Sequence, residues 1–151
     1  MVDQLTPEKR SALMARIGPK NTKPEMTVRK LLHAAGRRYR LHRKGLPGTP
    51  DIVFGRYKAV LFVHGCFWHG HHCKAGRLPK TRTEFWSEKI AGNRSRDVRK
   101  VNELVEQGWR VMTVWQCGLK NPNSVLGDIE AFLDGDAVIA EARSVNDVKE
   151  A

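Results

Sequence analysis

At 151 residues, with 40% hydrophobic and 28% charged side chains, the chain is one globular domain's worth, enough to bury roughly two-thirds of its extended surface around one core. No apolar run approaches the ~20 residues that cross a bilayer, and the N-terminal MVDQLTPEKR lacks the apolar stretch of a signal peptide, so no membrane role is expected and the cytosol is the expected compartment. The net charge of +11 is uneven: residues 1–50 carry twelve Lys/Arg against three acids, residues 51–110 twelve against six, and the remainder three against seven. A basic first two-thirds points to a polyanion approached by one part of the molecule.

In chain order, Thr6-Pro7-Glu8 opens a first helix as N-cap, N1 proline and early acid, with Leu13, Met14 and Ile17 as its apolar stripe, and Gly18-Pro19 ends it. Thr22-Lys23-Pro24-Glu25 starts a second in the manner of a capping box; Val28, Leu31, Leu32 and Ala35 face inward, and Gly36 closes it. Short strands follow at Tyr39 to His42, Asp51 to Phe54 and Ala59 to Val63, the last two close enough to form an antiparallel hairpin across GRYK. Cys66 to Lys80 is a loop. A helical stretch begins near Thr81 or Thr83, is interrupted around Gly92-Asn93, and resumes to Gly108. RVMTVW, Arg110 to Trp115, reads as a central strand, a helix covers Val125 to Leu133, and the tail is expected to fray. This order predicts a mixed α/β fold, a small sheet flanked by helices. The expected divisions are an N-terminal helix over 1–20, a catalytic-size domain over 21–135 and a tail over 136–151.

Residues 64–73 read HGCFWHGHHC, with four histidines and two cysteines in ten residues. Three cysteines in all argue against a disulfide framework and for metal. A closed zinc site takes four Cys or His ligands. Cys66, His71 and Cys73 share the loop, and Cys117 follows the RVMTVW strand, so these four make a plausible Cys₃His site, with His72 an equally spaced rival for His71. His64 and His69 are then left for chemistry. Asp51, at the head of a hydrophobic strand, can hold a hard cation such as Mg²⁺, and either histidine can move a proton near neutral pH. Asp97 is available to orient a histidine, and Glu25 can approach from the second helix, although a capping box would place a structural glutamate at the same position.

Phe67 and Trp68 lie inside the ligand loop and Trp86 opens the helix after it. Core packing is the commoner fate of aromatics, but a pinned loop presenting flat side chains beside a basic surface suits wedging between base pairs.

Four motifs carry a resemblance: GxPDxVF, FxHGCFWHxHHC, PxTRTEFWxEKI and GWRVxxVWxC, in this order. From about Thr22 to Cys117 the chain resembles the very short patch repair (Vsr) endonuclease family. The resemblance implies a Mg²⁺-dependent, strand-specific DNA endonuclease on a restriction-endonuclease-like fold. Its substrate would be double-stranded DNA with a T:G mismatch from 5-methylcytosine deamination, nicked 5′ of the thymine. It further implies that Asp51 and the carbonyl of Val63 contact Mg²⁺, that His69 paired with Asp97 is the acid/base, and that His64 and Glu25 complete the site. Cys66, His71, Cys73 and Cys117 match the family's zinc site. Phe67, Trp68 and Trp86 match its wedge, Met14 and Ile17 the element reaching the minor groove, and Lys89 and Asn93 are candidates for reading base edges. Where restriction-type nucleases place an acid and a lysine on the next strand, this chain has Phe62-Val63-His64-Gly65, a loss the family shares.

Two rival readings remain at this level. A non-catalytic, zinc-stapled sensor of distorted duplex would not need Asp51, His64 and His69 together, and a nuclease of perfectly paired sites would not need the wedge. The chain is expected to act as a monomer, with mismatch-repair proteins as possible partners.

Overall fold

In the computed structural model, residues 22–143 are described; the expected first helix, with Met14 and Ile17, lies outside them. The opening helix α1 spans Lys23–Ala34, with Thr22 as N-cap accepting the Glu25 N–H at 3.4 Å and a proline in its first turn. Val28 and Leu32 form its buried stripe, while Ala35, expected to face inward, is the exposed C-cap. Gly36, at φ +74°, makes the left-handed exit that a Cβ would disfavour.

A five-stranded sheet follows in spatial order β1-β2-β3-β4-β5. Strand β1 is Arg40–Leu41, β2 Ile52–Phe54, β3 Ala59–His64, β4 Arg110–Trp115 and β5 Ile139–Glu141. The first three are antiparallel neighbours, whereas β3–β4 and β4–β5 pair in parallel. Helix α2, Thr83–Glu106, provides the crossover from β3 to β4, and α3, Pro122–Asp134, that from β4 to β5. On one face Val28, Leu32, Val125, Ile129, Phe132 and Leu133 of α1 and α3 pack on Ile52, Phe54, Leu61, Met112 and Val114. On the other, Leu104 of α2 packs with Val53, Val60, Phe62, Trp109 and Val111. The near-continuous apolar runs AVLF and VMTV reflect strands covered on both faces.

Two expectations are corrected. Helix α2 is not interrupted at Gly92-Asn93 but runs through 24 residues. A single helix-interior glycine costs only about 1 kcal/mol, and burial of Ile90 on one side and Leu104 on the other holds the helix across it. The tail also forms β5, a strand too short to show a period. Hydrogen bonds from Val111 N to Val138 O (2.8 Å) and from Ala142 N to Thr113 O (2.9 Å) hold it to β4, and Arg143 is tied to Asp128. Among the described residues no helix is long and apolar enough to cross a membrane.

A Cβ built at Gly92 meets nothing closer than the Arg96 guanidinium at 3.6 Å. Gly92→Ala is therefore expected to raise the unfolding free energy by about 0.4–1 kcal/mol, read from urea titration. A loss of stability would mean that the helix does break there.

Candidate active site and metal cluster

The site gathers at one end of the sheet. Antiparallel pairing of Ile52 with Leu61 brings Asp51, just before β2, beside the end of β3, where the Val63 N–H donates to its Oδ2 at 2.7 Å. Glu25 reaches the same point from the first turn of α1 and is 1% exposed. One of its oxygens accepts from Arg29 at 2.5 Å and the other pairs with Nε2 of His42 at 2.7 Å. Beside His42 and Asp51, the residues Lys44, Gly48, Thr49, Lys100 and Val101 help to line a cleft of about 470 Å³. Phe62, Val63, His64, His69 and Asp97 complete its lining. The Lys100 stem lies across Gly48, where a Cβ would come within 2.7 Å of it.

Two carboxylates this close cannot both carry full charge out of water. Burial pushes Asp51 up to about 7; the Val63 N–H opposes this, and the neighbouring Glu25 adds to it. For Glu25, burial acts upward too, but the bonds to His42 and Asp51 and the charge of Arg29 outweigh it and hold the group low. Of the two, Asp51 is therefore the easier to protonate, and a cation there would relieve the same repulsion. Atoms of Glu25, His42 and Asp51 all lie within 4.8 Å of one another, and the two carboxylates with the adjacent main chain form an oxygen-rich donor set suited to a hard divalent ion.

Opposite them, Nδ1 of His69 is 2.6 Å from Oδ2 of Asp97. Burial would raise Asp97, but the His69 hydrogen bond and nearby positive charge hold it below the usual carboxylate range. His64 stacks on His69 with ring centroids 3.7 Å apart and planes within 2°. Burial, with His69 adding, pushes His64 down to about 3, so its imidazole is neutral. Its Nδ1 is buried without a hydrogen-bond partner among the described residues.

The second cluster lies just beyond. Cys66, His71, Cys73 and Cys117 are all buried, and each offers a ligand atom within 4.8 Å of the others. Cys117 N donates to Cys66 Sγ at 3.4 Å, and Cys117 Sγ is 3.5 Å from Nδ1 of His71. His72 is exposed and outside the group. Burial pushes the Cys66 thiol up to about 12. At Cys73 burial acts the same way, but the Cys66 thiol and the N–H groups of Gly76 and Ala75 overcome it and lower that thiol. Three buried thiols that cannot all ionise without a cation fit a soft or borderline metal. The cradle is tight, since a Cβ at Gly76 would overlap the His71 carbonyl oxygen.

Around the loop, Phe67, Trp68 and Trp86 form an edge-to-face trio with centroids 5.2–5.8 Å apart. Trp68 and Phe85 are each 44% exposed, and the Lys89 ammonium lies 5.7–5.9 Å from the rings of Trp68, Trp86 and Phe85. Asn93, a candidate reader of base edges, donates its amide to the Trp68 carbonyl at 2.9 Å and accepts from Arg96. The sequence reading did not single out His42, Arg29, Lys100 or Phe85. His42 sits in a short exposed hairpin with no periodic signal; only the adjacency of Phe85 to Trp86 could have drawn attention to that ring.

A family model for the DNA mismatch endonuclease Vsr matches residues 2–75. A DNA mismatch endonuclease Vsr from Escherichia coli is 40% identical over 137 residues, 87% of this chain and 88% of its own. The chain belongs to the Vsr family. A type II nicking enzyme, V.XorIIP of Xanthomonas oryzae, is 58% identical over 133 residues, 88% of this chain and 95% of that protein. Among solved structures, the homing endonuclease I-Bth0305I catalytic domain superposes with a TM-score of 0.52 at 22% identity, covering 74% of this chain and 94% of that one. The mixed sheet with flanking helices is thus restriction-endonuclease-like, and Vsr membership makes the protein a DNA mismatch endonuclease rather than a non-catalytic sensor.

Cys117→Ala is expected to lower the metal content of the purified protein, measured by elemental analysis, and to lower its Tm. Unchanged metal stoichiometry would remove Cys117 from the cluster.

Proposed function

We propose that this Vsr endonuclease uses Mg²⁺ to nick one strand of a duplex, 5′ of the thymine in a T:G mismatch arising from deamination of 5-methylcytosine. The observation that supports this most directly is the cleft lined by Asp51, His64, His69 and Asp97, in which the Val63 N–H holds Asp51 and Asp97 holds His69. Asp51, with the carbonyl of Val63, would hold the cation, and Glu25 completes the negative charge around it. Mg²⁺ held there supplies positive charge to the phosphate under attack. With the Nδ1 proton directed to Asp97, His69 offers Nε2 to the attacking water and takes its proton as the new P–O bond forms and the strand's P–O bond breaks. Neutral His64, stacked beneath, fixes the plane of the His69 ring without adding charge. Zinc in the Cys66, His71, Cys73 and Cys117 cluster pins the loop. Phe67, Trp68 and Trp86, with Met14 and Ile17 of the N-terminal segment on the opposite groove, would grip the mismatched step.

The reading is tested with a labelled duplex carrying T:G, T:A or C:G in several flanking contexts, in Mg²⁺. Nicking confined to T:G, 5′ of the thymine, is the expected result; nicking of paired controls at equal rate would overturn the mismatch requirement. Asp51→Ala should abolish nicking with duplex affinity within several-fold, and His69→Ala should slow it about 10²–10⁴-fold. Loss of binding equal to the loss of cleavage would make either residue structural.

Trp68→Ala should weaken binding to the T:G duplex by about 1–3 kcal/mol and to the paired duplex much less, measured by fluorescence anisotropy. Equal losses on both would return Trp68 to a packing role.

A further inference from the structure

Beside the direct bond between the two carboxylates, His42 links the segments that carry Glu25 and Asp51. Its ring Nε2 is 2.7 Å from Oε1 of Glu25 on α1, and its backbone N–H donates to the carbonyl of Asp51 at 3.2 Å. Asp51 is fixed separately, by the Val63 N–H. Glu25 also bonds Arg29, four residues on along the same helix. Such a neighbour travels with the helix and cannot set where the glutamate stands relative to the sheet. His42 can, because it belongs to the segment leaving β1. Its backbone is left-handed, at φ +43°, a region that few non-glycine residues adopt and in which His, Asn and Asp are the enriched types. That turn carries the chain out of β1 and delivers the imidazole to Glu25 beneath the cleft floor.

We propose that His42 is a positioning residue for the catalytic cation. Its Nε2–H holds Oε1 of Glu25, so that Glu25 and Asp51 present their oxygens to one ion. The imidazole is not itself a ligand in this arrangement: Nε2 is engaged by Glu25, and a hard ion such as Mg²⁺ prefers oxygen. Groups that orient ligating or near-ligating carboxylates typically contribute 10–100-fold in metal affinity. The inference rests on the reading that Asp51 holds the cation.

The test uses the full chain bound to a T:G duplex, with Mn²⁺ affinity followed by electron paramagnetic resonance of the free ion. The Mg²⁺ concentration for half-maximal nicking is measured alongside. His42→Asn is the informative variant, since asparagine tolerates the left-handed backbone but its shorter amide falls short of Glu25. His42→Gln keeps the reach, with an amide donor near the position of the imidazole Nε2. The expected outcome is Mn²⁺ affinity about 10–100-fold weaker in His42→Asn, a Mg²⁺ requirement raised in parallel and relieved by added Mg²⁺, and recovery of most of the affinity in His42→Gln. A lower Tm or slower nicking in His42→Asn with Mn²⁺ affinity unchanged would overturn the proposal, as would a His42→Gln variant no better than His42→Asn. Asp51→Ala separates the two levels: if it leaves Mn²⁺ affinity intact, the reading of Asp51 itself fails. If Asp51→Ala loses the ion while His42→Asn retains it, only the role of His42 fails.

Discussion

The parallel pairing of β3 with β4 is the constraint on which both sites depend. Its register sets Val63 opposite Val114 and His64 opposite Trp115, so the two strands end together. The chain leaving β3 enters the Cys66–Cys73 loop, and the chain leaving β4 supplies Cys117 almost at once. A slip of one residue would turn the inward side chains outward. It would also move Cys117 about 3.3 Å along the strand, too far for a ligand set whose atoms lie within 4.8 Å of one another. The same strand end carries the Val63 N–H that fixes Asp51. Placement of functional groups at the carboxyl ends of parallel strands follows the general behaviour of open α/β sheets.

Electrostatics then divide the cleft into two halves with different needs. On one side, Asp51 is pushed up to about 7 by burial and by Glu25, while His42 and Arg29 help keep Glu25 ionised. A cation beside this pair would relieve the repulsion between its two carboxylates. On the other, one carboxylate, Asp97, serves a histidine pair in which His64 is held neutral. Two imidazolium rings stacked at 3.7 Å would repel strongly, which adds to the burial that disfavours charge on His64. Where restriction-type sites carry a lysine, this chain places His64 at the end of β3 and His69 on the loop after it.

Much of this was legible in the sequence because the relevant signals are local. The capping sequence at Thr22, the hairpin around GRYK and the apolar runs of β3 and β4 are read over a few residues each, and the ligand loop declares itself by composition. What was not legible depends on contacts between distant segments. His42 gains its place only when α1 and β1 are both assembled, and no glycine marks its left-handed backbone in the sequence. β5 exists because β4 offers it an edge, not because three residues show a pattern. The interruption expected at Gly92 came from weighing one glycine's propensity over the burial on either side of it.

The continuity of α2 has a consequence for how recognition meets chemistry. Asn93 and Asp97 are four residues apart and so share one face of an unbroken helix. From that face Asn93 holds the Trp68 carbonyl at 2.9 Å and Asp97 holds the His69 imidazole at 2.6 Å. Trp68 and His69 are themselves adjacent, in a loop whose flanking residues Cys66 and His71 belong to the metal cluster. An exposed aromatic and the Asp97-bonded histidine are thus gripped by one helix and braced on both sides by one buried Cys/His cluster. Displacement of Trp68 would carry the residue beside it along. A helix broken at Gly92 would have let those two groups drift independently; the straight one makes them a single rigid unit.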